Sequence, residues 1–332
     1  MRVVIALGGN AMTSPDGAAR PADQQAAVAR AAPPIVELIL AGHQLVLTHG
    51  NGPQVGNLLV KNELAATVVP PVPLDWCVAQ TQATIGALLL NELDAELGRR
   101  GSLVRTAVLV SRTLVDPDDD GFIHPSKPIG RHRNADEAAV MIAHGQQWRD
   151  RGPRGWRRVV ASPAPRELLD VAAASTLLAA GFVVVCAGGG GIPVVRSESG
   201  SVRGVEAVID KDLAAARLAG DLAAEQLIIA TDVEHVAIDL GTDRERPLHR
   251  VGVAELRRLA ATGAFGDGSM APKVEAACRF VEQGGRSAHI TALPSLAEAA
   301  AGRAGTTVLA DDQPSMPQPS MIEPPSRTTP PS

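Results

Sequence analysis

Short, nearly unbroken aliphatic runs punctuate this chain at Val3–Leu7, Gln44–Thr48, Ala107–Ser111, Val159–Ala161, Val183–Cys186, Leu227–Ala230 and Ala288–Thr291. Several are close to continuous Val, Ile and Leu, which is what parallel strands covered on both faces require. Stretches with helical spacing lie between them. Ala22–Ala41 is the first, and Pro33-Pro34 inside it predict a kink or a restarted helix. Gln80–Arg100 is the strongest, with Ile85, Leu88, Leu89 and Leu93 at helical spacing and an end near Gly98–Gly101. Val55–Leu64 and Glu167–Ala180 are also helix-compatible. Strand and helix in alternation predict an α/β layered sheet.

Two segments break the alternation. Residues 116–155 hold Asp-Pro-Asp-Asp-Asp-Gly and Lys-Pro-Ile-Gly, carry many charges and have little aliphatic content. They read as an excursion from the sheet, a small hairpin subdomain or lid. Gln313–Ser332 is rich in Pro and Ser and almost free of core formers, so it reads as a disordered tail.

Composition narrows the picture. A chain of 332 residues can bury a substantial core, as one large domain or two fused lobes. Aromatics make up 2% and tyrosine is absent, so that core must be aliphatic. A net charge of −5 without a basic tract argues against nucleic acid as a partner. Five arginines do cluster within Arg149–Arg158, beside Trp156 and several glycines. That cluster reads as a solvated loop or lid, with phosphate contact as the alternative. Cys77, Cys186 and Cys278 are far apart and form no C-x-x-C pair, which fits a reducing compartment. The chain enters a strand directly after Met-Arg, and no run is long enough to span a bilayer. The expectation is a soluble cytoplasmic protein with no membrane partner.

Candidate chemistry sits at glycine-rich strand ends. Gly8-Gly9-Asn10 follows Val3–Leu7, His49-Gly50-Asn51-Gly52-Pro53-Gln54 follows Gln44–Thr48, and Gly188-Gly189-Gly190-Gly191 follows Val183–Cys186. One such loop is ordinarily a turn. Three in one α/β chain are unusual unless they converge on one crevice, where backbone N–H groups can hold anions. There is no P-loop motif, H-E-x-x-H, G-x-S-x-G or histidine cluster with metal spacing. Lysine is scarce: only Lys61, Lys127, Lys211 and Lys273 occur. Lys61 reads as a solvated helix residue, and Lys127 from composition alone as an exposed lid residue. Lys211 stands between Asp210 and Asp212 where an aliphatic strand (Val205–Ile209) gives way to a helix; Asp212 equally reads as a simple N-terminal helix charge. Lys273, after Pro272 at a helix start, opposes the helix dipole, a local conflict that hints at function.

In order along the chain, these motifs resemble those of the carbamate kinases, in the amino acid kinase superfamily. The resemblance rests on Gly8-Gly9-Asn10, Thr48–Gly56, Lys127-Pro128-Ile129-Gly130, Gly188–Pro193, Gly204–Asp212 and Gly268-Ser269-Met270-Ala271-Pro272-Lys273. It runs from about Arg2 to Leu309. It implies a three-layer αβα sandwich with a mostly parallel open sheet, an amino acid kinase domain over residues 1–312, and a protruding lid at about 116–155. The N-terminal half would serve carbamate and residues 180–312 the nucleotide. It also implies a homodimer and reversible phosphoryl transfer between ATP and carbamate, giving carbamoyl phosphate and ADP with Mg²⁺. ATP formation in arginine- or purine-type nitrogen catabolism is the implied setting. By the same resemblance, Gly8, Gly9, Asn10, Gly50 and Asn51 surround carbamate and the migrating phosphoryl group, and Lys127 reaches down onto it. Lys211 and Lys273 hold nucleotide phosphates, with Asp210 orienting the lysines. Gly189, Gly190, Thr231, Asp232, His235 and Met270 complete the nucleotide side. No protein metal ligand is implied.

The chain departs from the family pattern at three places. Arg131-His132 follows Lys-Pro-x-Gly where proline and an aromatic are usual, Ala164 stands where a lysine is common, and His235 replaces a tyrosine near the base. Another acid kinase of the superfamily and a non-catalytic nucleotide-binding homologue are the alternatives. The His49–Gln54 motif and the Lys127 segment argue against the first, and the presence of Asp210, Lys211 and the glycines against the second.

Overall fold

A computed structural model describes residues 1–9, 20–266 and 269–311. Asn10 and the tail Gln313–Ser332 lie outside the described residues. The centre is an eight-stranded sheet in the order Arg250–Gly252, Thr306–Leu309, Ser287–Ala292, Gln226–Thr231, Arg2–Leu7, Gln44–His49, Phe182–Val185, Arg105–Val108. Every neighbouring pair is parallel except Ser287–Ala292 with Thr306–Leu309.

The period-two alternation of a strand makes the layers. In Arg2–Leu7, Val4 and Ala6 join one core with the helices Val171–Ala179, Lys211–Asp221, Val253–Ala261 and Met270–Glu282. Val3, Ile5 and Leu7 join the other, with Pro21–Leu40, Leu74–Arg99 and Leu296–Ala300. Both faces are covered, so both faces are apolar, and three layers result. Strands between residues 44 and 185 add on one flank of Arg2–Leu7, and those after residue 220 add on the other. The crevice above Arg2–Leu7 is therefore a topological switch point, where ligands of open α/β sheets bind.

Pro21–Leu40 runs through Pro33-Pro34 as one helix, with no restart. The two carbonyls deprived of donors, those of Ala29 and Arg30, belong to exposed residues, where water can replace the lost bonds. The aliphatic run at Val159–Ala161 is not a central strand. It is the end of Trp156–Val160, antiparallel to Lys127–Arg133 and Gln147–Asp150 in a separate three-stranded sheet. With the helix Ala135–Ala143 this sheet forms the protruding element, extending beyond the charge-rich segment to Val160. Ile129 and Val160 seat it on Val55, Leu59, Leu74 and Val78 of the body. Val205–Ile209 makes only one bridge, Ala207 to Ala161.

Buried polar groups in the main sheet carry a pH signature. His289 is 2% exposed, between Ser287 Oγ (2.9 Å) and Thr307 Oγ1 (3.2 Å). Burial, helped by the Arg250 charge, brings its pKa down from 6.5 to about 4. The unfolded chain therefore takes up a proton that the folded chain refuses, and stability is lost as pH falls from 6.5 toward 4. At about 1.4 kcal/mol per pH unit the loss approaches about 3 kcal/mol for one such histidine. Replacing His289 with Asn should reduce the slope of unfolding free energy between pH 6.5 and 4.5 by about one proton, read from urea denaturation. An unchanged slope would remove His289 as a source of acid sensitivity.

Candidate active site

The site begins where three adjacent strands end together. Leu7 pairs with both His49 and Ala230, so the loops after Leu7, His49 and Thr231 start at the same height. The ladder continues one step beyond the strands: Gly8 N–H donates to Ala230 O (2.9 Å) and Gly50 N–H to Leu7 O (3.0 Å). A Cβ on Gly8 would lie 2.8 Å from Ala230 O, and one on Gly50 3.2 Å from the backbone of Gly9. A Cβ would collide with backbone at Gly8 and be tightly crowded by it at Gly50, so close approach of neighbouring backbones favours glycine at both.

The third glycine loop has a different reason for its composition. Gly188 to Gly191 are all buried. A Cβ on Gly188 would enter the His49 ring, at 2.3 Å from Nε2, and one on Gly189 would meet Asn51 Nδ2 at 2.0 Å. On Gly191 it would meet Thr113 Oγ1 at 2.0 Å, and on Gly190 the backbone of Ile209. Hydroxyls fix the loop: Thr48 Oγ1 donates to Ala187 O (2.8 Å), Thr113 Oγ1 to Gly190 O (2.8 Å), and Ser111 Oγ accepts from Ala187 N–H (2.7 Å). Asn51 in turn donates to Thr81 Oγ1 (2.9 Å). His49 is buried and its Nδ1 lies 3.0 Å from Gly50 O; burial takes its pKa to about 4. It is therefore a neutral wedge between two loops at neutral pH.

Charge is arranged on the opposite wall. Asp210 precedes the helix Lys211–Asp221, and its Oδ1 accepts from the N–H groups of Asp212 (2.9 Å) and Leu213 (3.3 Å). Its other oxygen takes Lys127 Nζ at 2.7 Å, across from the protruding element. Burial alone would raise the Asp210 pKa, but the charge and hydrogen bond of Lys127, joined by the Lys211 charge and the Leu213 N–H, together hold the carboxyl below its usual range. Asp212, 3% exposed, bridges the two other lysines: Lys211 Nζ on Oδ1, and Lys273 Nζ on Oδ2 at 3.1 Å. Burial, and the like charge of Lys273, pull the Lys211 pKa below the usual lysine value against the attraction of Asp212. The helix-dipole conflict at Lys273 is resolved here, since that buried lysine starts its helix opposite a buried carboxylate.

One open cavity of about 1990 Å³ joins these walls. Gly8, Gly9, Gly50 and Asn51 line it on the side of the first two loops, and Lys127 lines it from the protruding element. Gly189, Asp210, Lys211, Thr231, Asp232 and Lys273 line the other side. Gly190, Met270 and His235 are not among its lining residues. Gly190 is turned against Ile209, Met270 packs on the core below, and His235 stands edge-on to His249 with ring centres 4.4 Å apart.

The sequence profile of the amino acid kinase family matches residues 1–292. The chain belongs to the amino acid kinase family. Within it, the chain is 43% identical over 297 residues to carbamate kinase 1 of Enterococcus faecium, covering 89% of this chain and 94% of that one. It is also 43% identical over 311 residues to the carbamate kinase-like protein YqeA of Escherichia coli, covering 92% and 98%. A carbamate kinase from Giardia lamblia bound to AMP-PNP superposes with a TM-score of 0.88 at 39% identity, covering 93% of this chain and 98% of that one.

As a member of this family the chain places its charge in a way that only spatial proximity reveals. Asp210 was the carboxylate expected to orient the lysines, but it holds only Lys127; Asp212 holds the other two. An unpaired lysine at a helix start was the available signal, since a buried cation requires a carboxylate. Exchanging Asp212 for Asn should cost about 3–5 kcal/mol by leaving two cations without their counter-charge. Urea denaturation measures it, and a loss below about 1 kcal/mol would mean that the lysines have other partners.

Proposed function

We propose that the protein is a carbamate kinase, catalysing reversible phosphoryl transfer between ATP and carbamate and working as a soluble, cytoplasmic homodimer. The observation that carries this reading is the convergence of Lys127, Lys211 and Lys273 on one cavity edged by the Gly8 and Gly50 backbone. Phosphoryl transfer needs fixed positive charge around the migrating group, because negative charge spreads over its oxygens in the transition state. No general base is required: carbamate is an oxyanion already, so positioning and neutralisation suffice.

In the ATP-forming direction a β-phosphate oxygen of ADP attacks the phosphorus of carbamoyl phosphate. The bond from phosphorus to the carbamate oxygen breaks, and carbamate leaves with the electron pair. Gly8, Gly9, Gly50 and Asn51 hold the carbamate side, and Asn10 belongs to the same set. Lys127 meets the migrating group from the protruding element. Lys211 and Lys273, held by Asp212, neutralise the nucleotide phosphates, with Gly189, Thr231 and Asp232 along that wall. Asp210 caps the start of the Lys211 helix and holds the Lys127 ammonium in place.

Mg²⁺ fits as a passenger of the nucleotide. Among the described residues no three His, Cys, Asp or Glu side chains form a metal-binding group, and Asp210 and Asp212 are engaged by lysines. Such a donor set suits an ion that keeps its waters and takes most ligands from phosphates. When bound it neutralises phosphate charge. Also among the described residues, no helix is long and apolar enough to cross a membrane.

The identity to a relative called carbamate kinase equals that to one called carbamate kinase-like, so the acceptor has to be tested directly. The protein should form ATP from ADP and carbamoyl phosphate far faster than from acetyl phosphate or other acyl phosphates. Failure with carbamoyl phosphate alone would overturn the reading. In the same assay Lys211→Ala should lower turnover by at least about a hundredfold, and Lys127→Ala should lower turnover more than it weakens ADP binding. Near-normal turnover for Lys211→Ala, or an isolated loss of ADP affinity for Lys127→Ala, would remove the assigned roles.

A further inference from the structure

Two oddities of the sequence, the Arg149–Arg158 cluster and Arg131-His132 after Lys-Pro-x-Gly, meet in space. The antiparallel pairing of the protruding sheet sets His132 opposite Arg157, with a register shift after Ile129 that takes Gly130 and Arg131 out of the ladder. Arg157 Nε donates to Gly130 O at 3.2 Å, which fixes its guanidinium beside this bulge. Arg131 and Arg157 line the same cavity as Lys127 and Lys211.

These cations differ from the other arginines of the protruding element. Arg133 pairs with Glu63 and Glu137, Arg158 with Glu206 at 3.4 Å, and Arg149 donates to Pro125 O. Among the described residues Arg131, Arg151, Arg154 and Arg157 have no ion pair with a carboxylate. They crowd one another instead. Burial, with the like charges of Arg151 and Arg154, shifts the Arg157 pKa down, and the same three arginines add to burial in lowering that of His132. Uncompensated like charge at the rim of a crevice is costly unless an anion joins it, and it raises the local concentration of anions. The lining of the cavity leans the same way, with seven Lys and Arg against three Asp in a protein of net charge −5.

We infer that the bulge at Gly130-Arg131 and the facing arginines Arg151, Arg154 and Arg157 form an anion-capture subsite at the cavity mouth, one that takes a phosphate group before it reaches Lys127. The inference rests on the proposed reaction for its physiological ligand, a phosphorylated substrate, but not for its chemistry. Arg131 and Arg157, which line the cavity, contact the phosphate, while Arg151 and Arg154, which do not line it, add positive field.

The test combines binding and kinetics on the full chain. Inorganic phosphate and pyrophosphate are titrated calorimetrically into the protein, into an Arg151→Gln/Arg154→Gln/Arg157→Gln variant, and into the matching Arg→Lys variant. The Gln variant should bind both anions about tenfold more weakly, and the Lys variant should recover most of the loss. In ATP formation, kcat/KM of the Gln variant should fall about tenfold at low ionic strength and converge with the parent at high salt. A fall confined to carbamoyl phosphate or to ADP identifies the captured substrate, and a fall in both means that the rim serves both. Equal anion affinity and an equal salt slope in parent and Gln variant would overturn the inference. Should the triple variant not fold, Arg131→Gln, at an exposed side chain, is read by the same criteria. A protein that binds phosphate through this rim yet fails with carbamoyl phosphate would disprove the proposed reaction and leave the subsite standing.

Discussion

Two neighbouring ammonium groups withdrawn from water, Lys273 buried and Lys211 half-buried, can share a crevice only if something of opposite charge lies between them, and here that is the carboxylate of Asp212. With Lys211 on one oxygen and Lys273 on the other, it joins the starts of two packed helices. The arrangement has a chemical use. A lysine lowered by burial and by a like-charged neighbour gains most from a phosphate oxygen, so binding energy is stored in the free site. Without Asp212 the two ammonium groups would lose the counter-charge that holds them side by side, and the positive wall of the crevice would lose its support.

The glycine loops answer a complementary constraint. Backbone can approach backbone only where no Cβ intervenes, and Gly8 and Gly50 meet that need at the strand tips. The loop at Gly188–Gly191 is glycine-rich because His49, Asn51, Ile209 and Thr113 fill the space side chains would take. It is packing material as much as ligand cradle. A neutral His49 suits this, since a charged ring in that buried slot would cost several kcal/mol.

Much of this was legible in the sequence, and the exceptions have physical causes. Near-continuous Val, Ile and Leu runs betrayed strands such as Val3–Leu7 because both faces are buried. Val159–Ala161 misled because Val159 and Val160 are the buried end of a strand whose other part, Trp156-Arg157-Arg158, is polar-rich and only half-buried. Asp212 passed as a helix charge since its second partner is 61 residues away. Nothing local distinguishes His235, set against His249, from a residue that lines the crevice. Of the two outcomes expected at Pro33-Pro34, the restart does not occur, because a helix can absorb two prolines where the orphaned carbonyls face water.

The strand Arg2–Leu7 is the seam between the two flanks of the sheet. The loops on its left and right meet above it through ladders whose registers are set by apolar side chains buried far below. A slip of one residue in either ladder would displace a loop by about 3.3 Å and turn every inward side chain outward. That displacement exceeds the 2.7 Å that joins Lys127 to Asp210. The tolerance of the reacting groups is thus fixed by aliphatic packing that never touches a ligand, and the cheapest way to blunt such a catalyst is to loosen its floor.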